Sequence, residues 1–298
     1  MAVQLGTAPD SWGVWHPKDD RQTPWHRFLD EVVLAGYTRI ELGPFGYLPT
    51  DPVTLRHELQ QRGLTLSGGT FGGALHQAAA LPGIEEQVRK HGDLIGELGG
   101  GYLVLLPAAY RGETGPLTDP RDLDADGWKQ LVESSNQLGR LAQERFGGKL
   151  EVIFHSHADS HVETVGQVER YLADTDPSLV GLCLDTGHYA YRWGDSVDLM
   201  RRHHDRIPYL HIKSMSAEIL RKVEAEDLSF PQAVQLRVCC EPDAPDGTVD
   251  FVALKQLLDE LQFDGYAIVE HDLYPCTFDE PLPIATRTRA YLKSIAFG

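Results

Sequence analysis

Zinc-type and redox-type cysteine pairs are missing from this chain. Its four cysteines, Cys183, Cys239, Cys240 and Cys276, contain no C-x-x-C spacing, which removes the zinc-ribbon and thioredoxin-like readings. A signal peptide and a long apolar run are missing as well, so the expected setting is cytoplasmic and reducing, with no membrane partner. Positive charge is scarce. Lys and Arg total 27 against 44 Asp and Glu, a net charge of -17. Such a surface repels polyanions at long range, so nucleic acid is not an expected partner, whereas a neutral sugar or polyol is unaffected. The place after the first apolar strand holds APDSWGVW, not a glycine-rich phosphate loop, and no dinucleotide cofactor is expected.

What is present is alternation. Short β-rich runs alternate with longer segments of helical period, the signature of repeated βα units. VQLGTA (3–8) precedes a helix over 25–35, RIELG (39–43) one over 52–62, and LTLSGG (64–69) one over 84–98. YLVLLP (102–107) precedes 127–145, LEVIFHSH (150–157) precedes 162–172, and VGLCLDTGH (180–188) precedes 197–204. PYLHIKSM (208–215) leads into a long polar loop and a helix over 251–261, and YAIVEHD (266–272) into a last helix over 284–295. Eight units without a linker favour one closed (β/α)8 TIM barrel over 1–298 rather than an open doubly wound sheet. The 214–250 segment exceeds an ordinary βα loop and reads equally as a lid or a subunit contact. A homo-oligomer is compatible with this reading.

In such a barrel the active site forms at the C-terminal strand ends. Those ends carry Asp10, Glu41, His155 and His157, Asp185 and His188, His211 and Lys213, and Glu270 with His271 and Asp272. Alternate residues share a face, so His155 and His157 point together, as do His211 and Lys213. Two buried carboxylates side by side are costly unless a cation compensates them. A divalent ion between Asp185 and Glu270, with His211 and His155 completing the shell, removes that cost. Mixed N/O ligation suits Mn²⁺ or Co²⁺, with Zn²⁺, Fe²⁺ and Mg²⁺ behind, better than Ca²⁺.

Each residue also has a plain structural reading. A lone strand-end histidine is usually a satisfied core group, Asp185 could cap the next helix, and Glu270 could pair with a neighbouring cation. Four such residues on successive strands outweigh those readings. His203 and His204 read as helix-end surface residues, and His57, His76 and His91 carry no signal. Trp12, Trp15 and Tyr47 divide evenly between rim packing and an apolar wall against a sugar ring, and with Glu41 they form the expected substrate-binding set.

The segments GTAPDSWGVW (6–15), ELGPFGYLPTDP (41–52), HSHADSHVET (155–164), LCLDTGH (182–188), YLHIKS (209–214) and IVEHD (268–272) give the chain its likeness to a known group. Over its whole length it resembles the xylose-isomerase-like sugar isomerase/epimerase superfamily, and within it the inosose dehydratase (2-keto-myo-inositol dehydratase) branch. The resemblance implies metal ligation by Asp185, His211 and Glu270, with His188 beside metal and substrate. Epimerases of the group carry a Glu at the end of strand 5, where this chain has His155. Glu151, four residues earlier, lies ~13 Å away along the strand and cannot substitute.

With one carboxylate gone, the expected chemistry is dehydration of a keto-polyol through an enediolate, as in that branch. Glu270, or else His155, is the expected base. His188, His157 or Lys213 would serve the departing hydroxyl, and Lys213 could also supply charge to the oxyanion. His155 or Glu163 remains open as a second base. The alternatives are a ketose isomerase or epimerase, eliminative cleavage of a 3-keto glycoside, and a sugar-binding barrel without turnover. A DNA-repair endonuclease of related fold is disfavoured by the charge of -17.

Overall fold

The structure, a computed structural model, describes residues 3–298; residues 1 and 2 of the expected domain lie outside the described residues. The strands are β1 (Gln4–Thr7), β2 (Arg39–Ile40), β3 (Thr65–Leu66, resumed as Gly68–Gly73), β4 (Tyr102–Pro107), β5 (Glu151–His155), β6 (Val180–Asp185), β7 (Tyr209–Ile212) and β8 (Tyr266–Val269). Behind them lie α1 (Trp25–Leu34), α2 (Pro52–Gln61), α3 (Leu81–Glu97), α4 (Ala125–Phe146), α5 (Val165–Asp174), α6 (Ser196–His203), α7 (Phe251–Glu260) and α8 (Pro281–Ser294). All pairings around the barrel are parallel. The first part of β3 pairs with β2 and the second with β4, so the two ends of the sheet are one strand interrupted at Ser67. The sheet therefore closes, and the fold is the expected TIM barrel.

Strand pleat explains how the barrel presents its chemistry. Ala8, Val104, Ile153, Cys183, Tyr209 and Ile268 form an apolar layer inside the barrel. Two residues on, at the next inward position, four of these strands change to His155, Asp185, His211 and Glu270. Register places the middle two side by side, because Asp185 is paired with His211 across β6 and β7. The apolar layer thus becomes the floor of a polar one.

The outer helices form for ordinary reasons. Asp51, Asp124, Thr164, Asp195 and Asp250 each cap a helix by accepting a backbone N–H. Along α4, Trp128, Leu131, Ser135, Leu138 and Ala142 are buried, the stripe read from the sequence. α5 begins at Val165, not at Val162. Thr164 and Gln167 form a capping box there, which starts the helix one turn later.

The larger departure is the 214–250 segment, which is not a polar loop. Ser214–Met215 pairs antiparallel with Cys239–Cys240, and helices Ala217–Glu226 and Phe230–Gln235 lie between them. Ser216 and Ser229 cap the two helices, the second through a capping box with Gln232. Leu220, Val223, Phe230, Ala233 and Val234 bury themselves against Ala158, Tyr191 and Met215, a small core separate from the barrel's. Among the described residues no helix is long and apolar enough to cross a membrane.

α4 packs so closely that Gly139 leaves no room for a side chain. A Cβ there would sit 2.3 Å from the Leu179 carbonyl oxygen, a backbone atom with little freedom to yield. Gly139→Ala is expected to destabilise the protein by roughly 1–3 kcal/mol despite its better helix propensity, a sign that urea unfolding will check.

Candidate active site

Ligand-type atoms converge at the mouth of the barrel. His155, Asp185, His211 and Glu270 are all buried, and one donor atom from each lies within 4.8 Å of the others. Asp185 divides its carboxylate between two tasks. Oδ1 accepts the His188 backbone N–H at 2.7 Å, capping a short helix. Oδ2 faces the cluster, 3.4 Å from His155 Nε2 and 3.7 Å from His211 Nδ1. The capping role and the cluster role are therefore both real.

His211 is oriented from behind. Its Nε2 donates to Glu41 Oε2 at 3.0 Å, and the Tyr209 hydroxyl donates to the same oxygen at 2.7 Å. That bond fixes the ring with Nδ1 directed at the cluster, 3.0 Å from Glu270 Oε2. Asp185 Oδ2 and His211 Nδ1 are buried without an aligned hydrogen bond. Buried polar atoms left this way are rare, and a shared cation resolves them. The cluster fits a metal.

A lysine reaches the same oxygens. Lys213 Nζ lies 3.1 Å from Asp185 Oδ2, 3.2 Å from Glu270 Oε2 and 2.7 Å from Asp272 Oδ2. Burial opposes its charge, but Asp185, Asp272 and Glu270 outweigh burial and raise its pKa well above the usual lysine range. Burial opposes the Glu270 charge too, yet His211 and Lys213 hold that carboxyl at about 2. Asp10 goes the other way. Burial, followed by Glu270 and Asp272, pushes its pKa well above the carboxylate range.

Over the cluster opens a cavity of about 370 Å³. His157 and His188 stand together on its wall, ring centroids 3.9 Å apart. One peptide sets both proton positions. The Ala158 carbonyl can only accept, so His157 Nδ1, 2.7 Å away, carries a hydrogen and Nε2 keeps a lone pair. The Ala158 N–H can only donate, so His188 Nδ1, 3.2 Å away, is the acceptor and Nε2 carries the hydrogen. Phe230 closes over the pair, 5.3 Å from His157 and 4.6 Å from His188, and stacks on Trp15.

The xylose isomerase-like TIM barrel family model matches residues 29–295. The chain belongs to that family. It is an enzyme of this superfamily, similar in sequence to an inosose dehydratase of Geobacillus thermodenitrificans, 28% identical over 98% of this chain and 96% of the relative. An inosose dehydratase of Clostridium beijerinckii is likewise 28% identical over 98% and 96%. In fold it is similar to the 3-keto-D-glucoside 4-epimerase of E. coli, with a TM-score of 0.70 at 18% identity, covering 98% of this chain and 99% of that one.

Of the family-like site residues read from sequence, Trp15 reaches the cavity and donates from Nε1 to Asp272 Oδ1 at 2.9 Å. Trp12 and Tyr47 do not. Trp12 is wholly buried, bonded to Glu31 and edge-on to Phe28, and Tyr47 donates to the Thr23 carbonyl. Both are packing residues behind the first loop. Glu41, expected to touch substrate, lies behind His211 instead and orients it. Glu163 accepts from Tyr110, Arg192 and the Asp159 backbone, so it is tied outside the cavity and cannot act as a second base.

Sequence reasoning missed Phe230, Arg111 and Asp159, which also line the cavity. Asp159 Oδ2 accepts the Phe230 N–H at 2.6 Å and joins the 214–250 segment to the loop after β5. A signal was available for Phe230, since Ser229 and Gln232 spell a capping box immediately around it.

Burial pushes His157 and His271 down to about 4, with His155 adding to the effect on His157. Folded, both are neutral, whereas the unfolded chain takes up those protons near 6.5. Their contribution to stability is therefore full above pH 6.5 and lost as pH falls towards 4. His211, with its pKa raised, is protonated in both states across that window and adds no slope. Denaturant unfolding of metal-free protein should weaken by on the order of 2–3 kcal/mol per such histidine, and His157→Gln should flatten the decline by one histidine's share.

Proposed function

We propose that the chain is a divalent-metal-dependent lyase that removes water from a keto-polyol, with 2-keto-myo-inositol as substrate. The observation that carries this reading is the pair His157 and His188, locked in opposite proton states beside a four-ligand cluster. The full-length similarity to two inosose dehydratases supports the substrate.

His155, Asp185, His211 and Glu270 would hold the ion, and their mixed N/O character suits Mn²⁺ or Co²⁺. When bound, the ion supplies Lewis acidity towards a ketone and its neighbouring hydroxyl, which acidifies the adjacent C–H. Everything else falls to the protein. His157 Nε2, with its free lone pair, takes the α-proton and, as the imidazolium, passes it to the departing β-hydroxyl, which His188 Nε2–H holds by a hydrogen bond. A C–H and a C–O bond break, a C=C bond forms, and the hydroxyl leaves as water. His157 returns to its neutral form as the water leaves, and His188 keeps its N–H throughout. Glu270 and His155, the other candidate bases, have their lone pairs engaged within the cluster. Lys213 places positive charge near the developing oxyanion. Trp15 and Phe230 give the carbon skeleton an apolar wall and exclude water.

Metal-stripped protein reloaded with Mn²⁺ and given 2-keto-myo-inositol should release one water per turnover, followed by ultraviolet absorbance of the enolised dione and by mass. Asp185→Ala should abolish the reaction, and His157→Gln should slow it by roughly 10²–10⁴-fold with Mn²⁺ still bound. Solvent deuterium entering a ketose without loss of water would reject the lyase in favour of an epimerase.

Glu41→Gln tests the support behind His211. An amide can turn its NH₂ towards Nε2 and lose the fixed ring orientation, so direct titration should show Mn²⁺ affinity about 10–100-fold weaker. Unchanged affinity would mean that the buried carboxylate does not orient the ligand.

A further inference from the structure

The run Asp185-Thr186-Gly187-His188 does more than deliver a metal ligand, because three of its residues also hold Lys213 and the fourth faces its ammonium. Asp185 Oδ2 faces Nζ at 3.1 Å. The Thr186 hydroxyl donates to the Lys213 carbonyl at 2.7 Å and accepts the Lys213 N–H at 3.0 Å, fixing that backbone from both sides. Gly187 makes room for the stem, since a Cβ there would lie 2.5 Å from Lys213 Cγ. His188 Nε2 sits 3.2 Å from Nζ. A side chain cradled this closely is placed, not accommodated.

Its position is one a divalent ion would contest. Asp185 Oδ2 and Glu270 Oε2, at 3.1 and 3.2 Å from Nζ, are also the cluster oxygens that face His211 Nδ1. An ammonium and a divalent cation cannot both sit on those two oxygens, because like charges a few ångströms apart in a buried site repel strongly. The lysine is also opposed on its other side. The Ala158 N–H commits His188 to carrying its hydrogen on Nε2, so that N–H and the ammonium face each other as two donors. An alternative partner is already in place. Asp272 Oδ2 is the shortest of the lysine's contacts at 2.7 Å, and the opposite oxygen of that carboxylate is pinned by Trp15 Nε1 at 2.9 Å.

We infer that Lys213 is a resident cation that competes with the divalent ion for Asp185 and Glu270 and withdraws onto Asp272 when the ion binds. The inference rests on the metal-dependent reading of the site. Lys213 neutralises the cluster in the metal-free protein and lowers its affinity for metal. Its withdrawal frees the His188 N–H to face the cavity.

The test is a calorimetric Mn²⁺ titration of full-length, metal-stripped protein, with bound Mn²⁺ counted independently by electron paramagnetic resonance. Lys213→Met should bind Mn²⁺ about tenfold more tightly, and Asp272→Asn should bind it several-fold more weakly. In the double variant the Asp272→Asn loss should disappear, because Asp272 acts through the lysine. Lys213→Gln, which keeps most of the stem, takes the place of Lys213→Met should that variant not fold. Equal or weaker affinity on loss of the lysine overturns the competition, as does an Asp272→Asn loss that persists undiminished in the double variant. No Mn²⁺ binding by the wild type overturns the metal-dependent reading and this inference together. Binding by the wild type with unchanged affinity in the variants overturns the inference alone.

Discussion

The mouth of this barrel is organised around mutual repulsion among buried acids. Asp185, Glu270, Asp272 and Glu41 are all nearly without solvent contact, and Asp10 adds a fifth carboxyl. Charges taken out of water are tolerated only where opposite charge and hydrogen bonds meet them closely. Lys213 and His211 do so here, and every other placement follows from them. Thr186 fixes the lysine backbone, Gly187 gives its stem room, and Glu41 holds the histidine from the rear. The strand pleat makes the convergence unavoidable. Once Ile153, Cys183, Tyr209 and Ile268 fill the barrel interior, the next inward positions on four neighbouring strands must face one another.

The chemistry does not come from the strands alone. His157 and His188 lie beyond the last barrel hydrogen bonds, where the chain has left its strands, and the Ala158 peptide between them gives each ring a proton state. The roof is borrowed from further away. Phe230 belongs to the helical excursion after β7, and its backbone is held by Asp159 of the loop after β5. One short stretch, 155–159, therefore supplies a cluster histidine, a candidate base, the peptide that sets two tautomers and the strap for the roof.

How far this could be read from sequence depended on the kind of regularity involved. The barrel was legible because its signal repeats: eight apolar runs of strand length, each followed by a helical period. Three of the cluster residues were legible because Asp185, His211 and Glu270 each end an apolar run, and His155 followed from the same rule on β5. Trp12 and Tyr47 misled because an aromatic near a strand end looks the same whether it lines a cavity or packs behind a loop; only the partners, Glu31 and Thr23, decide. Glu41 was placed in the right neighbourhood with the wrong contact, since sequence does not say which carboxylate stands in front of a histidine and which behind. The 214–250 segment was underread for a different reason. Its helices are short and its charges many, so their caps at Ser216 and Ser229 carried more information than hydrophobic period did.

The arrangement of the two cavity histidines bears on which reaction the family scaffold supports here. Epimerisation at carbon needs one group to remove a proton from one face and another to return it from the opposite face. His157 and His188 cannot flank a carbon in that way, because their rings lie 3.9 Å apart on the same wall. Of the two residues open as a second base, Glu163 is bound to Tyr110 and Arg192 outside the cavity, and His155 faces Asp185 within the cluster. Two adjacent groups, one with a free lone pair and one with a free N–H, are instead suited to neighbouring atoms on one side of a ring: a hydrogen to be taken from one carbon and a hydroxyl to be released from the next. Elimination of water on a single face asks for that geometry. On the proposed reading, the peptide of Ala158 supplies it without a second carboxylate, in a chain with His155 where the resemblance would lead one to expect the glutamate of an epimerase.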